Sequence, residues 1–356
     1  MNLQMVDLKG QYLKIKDQID KAVLDVIEST RFIKGPVVKK FEENLANYLG
    51  CNHVIGCANG TDALQVAMMA LDLKPGDEVI VPAFTYVATA EVIALLGLTP
   101  VMVDVNLDDF NIKIEGLEDH ITDRTKAIVP VHLFGQNADM DAIMKIAEKH
   151  DLYVIEDAAQ SIGSEYKGRK SGTIGHIGCT SFFPSKNLGC MGDGGAIFTN
   201  DSELADRIRM VANHGQSKQY HHSKIGVNSR LDAIQAAILD VKLQYLDDYA
   251  DARRLAADNY DTLLENIDIK TPYRNPDSTH VFHQYTLKSD NREAVREKLR
   301  NQDIPHNVYY PIPLYKQEAF NYENQNIQLE NTERLCQTVF SLPMHTELTL
   351  GQQEFI

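Results

Sequence analysis

From about residue 53 to residue 200 the chain alternates short β-rich runs with segments of helical period, and no other feature restricts its fold as much. The strand-like runs are residues 53–56, 78–81, 100–105, 127–133, 152–156, 179–183 and 196–199. Between several of them, residues 62–71, 87–96, 114–121 and 139–150 carry apolar side chains at helical spacing. Strand, helix, strand repetition joins parallel neighbours through a covering helix. The expected fold class is therefore α/β, with a mostly parallel sheet buried on both faces. Lys74-Pro75-Gly76-Asp77 supplies a turn where a helix must give way to a strand.

After Arg230 the pattern changes. Residues 231–246 and 249–264 read as two helices, followed by a Pro/Asn-rich link at 271–277, a strand at 282–287 and a helix at 292–299. The expected division is a large unit of residues 1–245 and a smaller C-terminal α+β unit of residues 246–356. A chain of 356 residues has room for both at roughly 100–200 residues per domain. Residues 349–356 read as a helix cut off in mid-pattern, so further residues are expected there.

Composition narrows the function classes. At 44% apolar and 24% charged residues the chain is too apolar for disorder. A net charge of −15 repels phosphate backbones and anionic lipid, so neither nucleic acid nor a membrane surface is an expected partner. A small phosphate-bearing ligand remains open, because a local pocket can oppose the global field. Cys51, Cys57, Cys179, Cys190 and Cys336 are odd in number and hold no C-x-x-C pair. That excludes a simple closed disulfide framework, argues against a four-cysteine zinc site and fits a reducing compartment. The N-terminus lacks a basic region followed by an apolar core, and the apolar stretch 87–98 is interrupted by Glu91 and falls short of the roughly 20 residues of a membrane span. The expected location is the cytoplasm.

In an open parallel sheet, ligands collect outside the carboxyl ends of the strands. The first such loop is Cys57-Ala58-Asn59-Gly60-Thr61-Asp62, where glycine, a hydroxyl and free helix-start amides make a phosphate cradle. Asn59 or Thr61 could equally be a plain helix cap. After the run 152–156 comes Asp157, an acid at a strand's carboxyl end that needs a cationic or N–H partner. A pyridinium nitrogen would serve, and so would the amides of a cap. The third loop runs Thr180-Ser181-Phe182-Phe183-Pro184-Ser185-Lys186-Asn187-Leu188-Gly189. An amine lodged beside aromatic rings loses solvation, its pKa falls, and it becomes a nucleophile able to form a Schiff base; otherwise Lys186 is an exposed loop lysine. Gly192-Asp193-Gly194-Gly195 has the wrong spacing for a nucleotide fingerprint and leads into a strand. Cradle, acid and lysine together are what pyridoxal phosphate requires: the acid keeps the ring an electron sink, and the lysine holds the cofactor and moves protons.

With these residues in place, the chain resembles the DegT/DnrJ/StrS-type sugar aminotransferases, which use pyridoxal 5′-phosphate on the type I aspartate-aminotransferase fold. The matching stretches are residues 57–64, 82–89, 156–160, 181–195, 228–237 and 310–314, within a resemblance that runs from Val6 to His345. It implies that Lys186 carries the cofactor covalently, that Asp157 pairs with the pyridine nitrogen and that Gln160 contacts the ring hydroxyl. Gly60, Thr61 and Ser181 would hold the phosphate, and Tyr86 would stack on the ring. Asn228 and Arg230 match residues that reach the cofactor phosphate and the substrate from a neighbouring subunit, which implies a homodimer with shared sites. Tyr309 and Tyr310 fall among substrate contacts. Here the family often has histidine where this chain has Tyr309, which cannot titrate near neutrality but can donate one hydrogen bond. His214, His221 and His222 are expected at the site rim or dimer contact, with no metal bound.

The resemblance further implies L-glutamate as amino donor, with the cofactor cycling through pyridoxamine 5′-phosphate. The run Gly192-Asp193-Gly194-Gly195-Ala196 is similar to members that aminate a nucleotide-linked sugar at C3, with a UDP-linked 2-acetamido-3-oxo-glucuronate of surface-polysaccharide synthesis as the implied acceptor. A dTDP-3-oxo-6-deoxyhexose or a 4-keto sugar is the alternative. Relatives that eliminate a hydroxyl instead carry histidine in place of the lysine, so Lys186 argues against a dehydratase. The complete Lys186, Asp157 and Gln160 set argues against a non-catalytic scaffold.

Overall fold

A computed structural model describes residues 3–320 and 327–356. Its centre is a seven-stranded sheet built from β1 (His53–Cys57), β2 (Glu78–Pro82), β3 (Thr99–Val103), β4 (Thr125–Ile128), β5 (Tyr153–Asp157), β8 (Ile177–Ser181) and β9 (Gly195–Thr199). The strand order is β1-β9-β8-β5-β4-β2-β3. Every neighbouring pair is parallel except those of β9, which runs antiparallel to both β1 and β8. Two hairpins stand apart from the sheet, β6 (Glu165–Tyr166) with β7 (Arg169–Lys170) and β10 (Gln216–Lys218) with β11 (His221–His222).

Strands β2 and β9 are buried at every position, and their apolar runs Val79–Val81 and Ala196–Phe198 suit strands covered on both faces. Helices α4 (Gly60–Ala70), α5 (Ala88–Leu95) and α7 (Ser202–Val211) pack on the face presented by Ile55, Val79, Val81, Ile155 and Ile197. On the opposite face, α3 (Pro36–Leu49) and α8 (Ala233–Leu243) cover Val54 and Phe198, and α6 (Met140–His150) covers Ile80, Ile128 and Val154. Alternate residues of one strand thus feed two cores. Pro100 lies in β3, an edge of the sheet, where its missing N–H removes the least. Two earlier helices, α1 (Leu8–Lys14) and α2 (Lys16–Ser29), precede α3.

Three expected elements differ. Residues 114–121 form only a 3-10 turn, Leu117–His120, entered through Gly116 at φ 78. Ile114, Leu117 and Ile121 still pack on the α6 core, so their spacing reflects burial without a helix. The run 127–133 leaves the sheet ladder after Ile128, and Val131 makes a lone bridge to Asp157 before a tight turn at Leu133–Gly135. The expected strand 282–287 begins only at Tyr285, because Phe282 adopts φ 43 with its ring stacked on His280.

Past α8 lie α9 (Leu246–Leu263), β12 (Tyr285–Lys288), α10 (Arg292–Asn301), α11 (Glu330–Thr338), β13 (Val339–Leu342) and α12 (Leu350–Phe355). Strands β12 and β13 pair antiparallel. Tyr260, Phe282, Tyr285, Leu287, Phe340 and Leu342 form an apolar cluster of their own. Leu335, Cys336 and Val339 pack instead on Phe84, Val105 and Phe134 beside the large sheet. A reciprocal Thr349–Gln352 capping box starts α12. Among the described residues no helix is long and apolar enough to cross a membrane.

Candidate active site

Strand β5 delivers Asp157 to the carboxyl end of the sheet, where it is buried. Its Oδ2 accepts the Thr89 hydroxyl at 2.8 Å, and its Oδ1 accepts the Ala159 N–H at 3.1 Å. The second bond is the local cap that the sequence allows; the first comes from α5, far away in the chain. Lys186 sits on the loop after β8, with its backbone N–H donating to Phe183 O at 2.8 Å. The residue as a whole is half-buried, and burial of its amine lowers the pKa to about 8, against an upward pull from Asp157. Amine and carboxylate are thus within electrostatic reach of each other. Buried His283 is within electrostatic reach of this amine as well: burial first, then Lys186 and Arg253, push its pKa well below the usual value. Among the described residues the Nδ1 of His283 has no hydrogen-bond partner.

The remaining predicted residues divide into two sets. In the first, Gly60 approaches Ser181 so closely that a Cβ on it would lie 2.7 Å from that of Ser181. Glycine is therefore required where the two loops meet. Asn59 caps α4 by accepting the Asp62 N–H at 2.8 Å, and Thr61 follows in the first turn. Gln160 accepts the Phe134 N–H through Oε1 at 2.8 Å and donates from Nε2 to the Tyr310 hydroxyl at 3.2 Å. Burial raises the pKa of Tyr310 far above the ordinary tyrosine value. Its ring lies 6.3 Å from that of Tyr86 and 6.1 Å from that of Tyr309, whose hydroxyl accepts Asn307 Nδ2 at 2.8 Å. Tyr86 is 57% exposed and leaves a ring face open.

The second set reaches the loop after β1 from another segment: Ser229, between Asn228 and Arg230, accepts the Ala58 N–H at 3.0 Å. Asn228 is exposed, and Arg230 lines a cavity of about 250 Å³ with Lys34, Glu42 and Arg209 that contains neither Lys186 nor Asp157. His214, His221 and His222 are exposed, the last two on β11. Among the described residues no group of His, Cys, Asp and Glu side chains is arranged to hold a metal ion.

A model of the DegT/DnrJ/EryC1/StrS aminotransferase family matches residues 13–356. The chain belongs to this family. It is 50% identical to the UDP-2-acetamido-2-deoxy-3-oxo-D-glucuronate aminotransferase of Pseudomonas aeruginosa, over 99% of this chain and 98% of that one. It is 45% identical to the UDP-N-acetyl-3-dehydro-alpha-D-glucosamine 3-aminotransferase of Acidithiobacillus ferrooxidans, over 97% and 94%. The solved structure of DesV from S. venezuelae in complex with a ketimine intermediate superposes with a TM-score of 0.96 at 38% identity, covering 99% of this chain and 95% of that one.

The protein is a pyridoxal-phosphate-dependent aminotransferase of this family, with the type I fold. The residues present fit that cofactor. The Gly60–Ser181 contact leaves a bare backbone at a helix start, as a phosphate needs, and the softened amine of Lys186 lies within electrostatic reach of a buried carboxylate. Two neighbours of the site went unassigned in the sequence. Thr89 was readable only as a hydroxyl near the start of an apolar helix. His283 was one histidine in a strand-like run, with nothing local to show that it meets Lys186.

Proposed function

We propose that the protein acts as a cytoplasmic homodimer that moves the amino group of L-glutamate to C3 of UDP-2-acetamido-2-deoxy-3-oxo-D-glucuronate, in the synthesis of a bacterial surface polysaccharide. Lys186 carries the reaction class: its amine is lowered to about 8 and lies within electrostatic reach of Asp157 at the carboxyl end of the sheet. The acceptor rests on the relative that is 50% identical over nearly the whole chain and acts on that sugar.

In this reading Gly60, Thr61 and Ser181 hold the cofactor phosphate. Asp157, fixed by Thr89 and Ala159, would pair with the pyridine nitrogen. Gln160 spends one Nε2 hydrogen on Tyr310 and keeps the other for the ring hydroxyl. Tyr86 offers its open face to the ring. The bound cofactor supplies an electron sink and carries nitrogen between donor and acceptor. Lys186 Nζ is unprotonated in a large fraction of molecules near pH 8 and takes the proton from the donor Cα. Asn228 and Arg230 serve the neighbouring subunit's site. Tyr309 and Tyr310 contact the sugar. Residues 1–245 and 246–356 form the larger and smaller units, a division supported by the separate apolar cluster around Tyr260 and Phe340.

Tyr309 favours one competing class of acceptor. A neutral hydroxyl suits a sugar without a carboxylate, such as UDP-linked 3-dehydro-N-acetylglucosamine or a dTDP-3-oxo-6-deoxyhexose. The visible spectrum of the purified protein, before and after glutamate, tests the cofactor and the donor. A yellow band that bleaches is expected; no band even with added pyridoxal phosphate would overturn the reading. A panel of nucleotide keto-sugars followed by mass spectrometry then decides the acceptor.

A further inference from the structure

The loop that carries Lys186 is tied to helix α8 at two points. Lys242 Nζ donates to the Gly189 carbonyl at 2.5 Å. Seven residues earlier, two turns back along the same helix face, Gln235 brackets Met191. Its Oε1 accepts the Met191 N–H at 2.9 Å, and its Nε2 donates to Met191 O at 3.3 Å. Phe182 and Leu188 from the loop pack in one apolar cluster with Ala236, Leu239 and Leu243 from α8. The loop itself is tightly folded. Cys190 N–H donates to Phe182 O at 2.8 Å, and a Cβ on Gly189 would lie 2.3 Å from Pro184 O. A shift at Gly189 is therefore transmitted to the turn that holds Lys186.

Lys242 is an unusual residue to find there. It is 5% exposed and lines a mostly apolar cavity of about 270 Å³ with Leu8, Tyr12, Ile15, Pro184 and Met191. Among the described residues no carboxylate lies within 4.0 Å of its amine. Burial lowers that amine to about 8. A buried, unpaired ammonium costs stability, and an apolar chain of the same length would fill the space as well. What an apolar chain cannot do is hold the Gly189 carbonyl.

We propose that Lys242 is a positioning residue for the transamination: through Gly189 it fixes the loop of residues 182–192, and so the place of Lys186 Nζ relative to Asp157. The proposal rests on the reading of Lys186 as the cofactor-carrying amine. Gln235 is the second, weaker tie of the same device.

Lys242→Met tests it, with Gln235→Leu as a variant on the rim of the same contact. In cofactor-free protein, competitive labelling with an amine reagent across pH, read on the Lys186 peptide by mass spectrometry, gives the apparent pKa of that amine. The expected result for Lys242→Met is a rise of about one unit as the untied loop lets water reach the amine. In the loaded enzyme kcat falls about tenfold, while KM for the donor changes far less. Gln235→Leu shifts both readouts in the same direction by less. A folded Lys242→Met with the parent labelling profile and the parent kcat overturns the proposal. Should Lys242→Met fail to fold, an unchanged profile in Gln235→Leu overturns it. Borohydride fixation and peptide mapping check the underlying reading separately: pyridoxal phosphate on another lysine would overturn that reading, while the Lys186 labelling profile still judges the loop.

Discussion

Glu156 and Asp157 are consecutive acids on β5, and both are buried, yet the two faces of the strand treat them in opposite ways. Glu156 points to the structural side. It accepts His132 Nε2 at 2.8 Å, Gly172 N–H at 2.9 Å, Ile174 N–H at 2.6 Å and Gly175 N–H at 2.5 Å. Burial alone would raise its pKa, but His132 and these amides outweigh that and hold it below the usual value. His132 accepts Ala138 N–H at its other nitrogen, which leaves the proton on Nε2 for Glu156. Among the described residues the Asp157 carboxylate has only the Thr89 hydroxyl and the Ala159 N–H as hydrogen-bond partners, and it lies within electrostatic reach of the Lys186 amine. A carboxylate whose lone pairs are all satisfied pins a fold. One with spare capacity, set opposite a softened lysine, is available to a ligand.

The largest effect expected from this contrast is on Lys186. Lys186→Ala should abolish transamination, and retained turnover in that variant would falsify the mechanism. The cofactor-free variant should also be slightly more stable near neutral pH, by about 1 kcal/mol after allowance for a half-exposed side chain, since a partly desolvated ammonium is gone. Next come the paired acids. Asp157→Asn should lower kcat by about a thousandfold with little change in the thermal midpoint. Glu156→Gln should do the reverse, costing about 3–5 kcal/mol of stability because amides and His132 lose their anion. Equal stability losses in the two variants, measured by denaturant unfolding, would break the comparison.

Smaller effects sharpen it. Thr89→Val removes one hydrogen bond from Asp157 and should cost about tenfold in kcat without loss of fold. The pH dependence has a definite sign. Lys242 titrates near 8 when folded, below an unfolded lysine, so between about pH 8 and 10.5 the unfolded chain binds more protons. Stability from this group therefore rises with pH through that window and is lowest below it. The difference in thermal midpoint between the parent protein and Lys242→Met should change with pH in that range and stay flat below pH 7. Glu156 contributes oppositely. Its folded pKa is depressed, so its stabilisation is present above the ordinary carboxylate range and is lost as the pH falls through the folded value.

Local chemistry made much of this legible in the sequence. Alternating strand and helix periods announced the α/β class, because covering a parallel sheet imposes apolar runs on strands and stripes on helices. Lys186, Asp157 and the Asn59-Gly60-Thr61 turn stood out because each follows a strand, and strand ends are where such a sheet binds ligands. Where burial and element type separate, as at Ile114, Leu117 and Ile121, periodicity misled: apolar spacing records contact with a core, and Gly116 with its left-handed backbone broke the helix regardless.

Tertiary structure alone decided which groups meet. Nothing near Asp157 in sequence points to Thr89, 68 residues away, and nothing near Lys186 points to His283 or to Lys242 beneath its loop. The antiparallel course of β9 was equally hidden, since a strand's own residues do not state its direction. Residue type and strand position determined the chemistry this chain can perform. The pKa of its lysine, the spare capacity of one acid and the saturation of its neighbour arise from burial and long-range contacts, which exist only once the chain has folded.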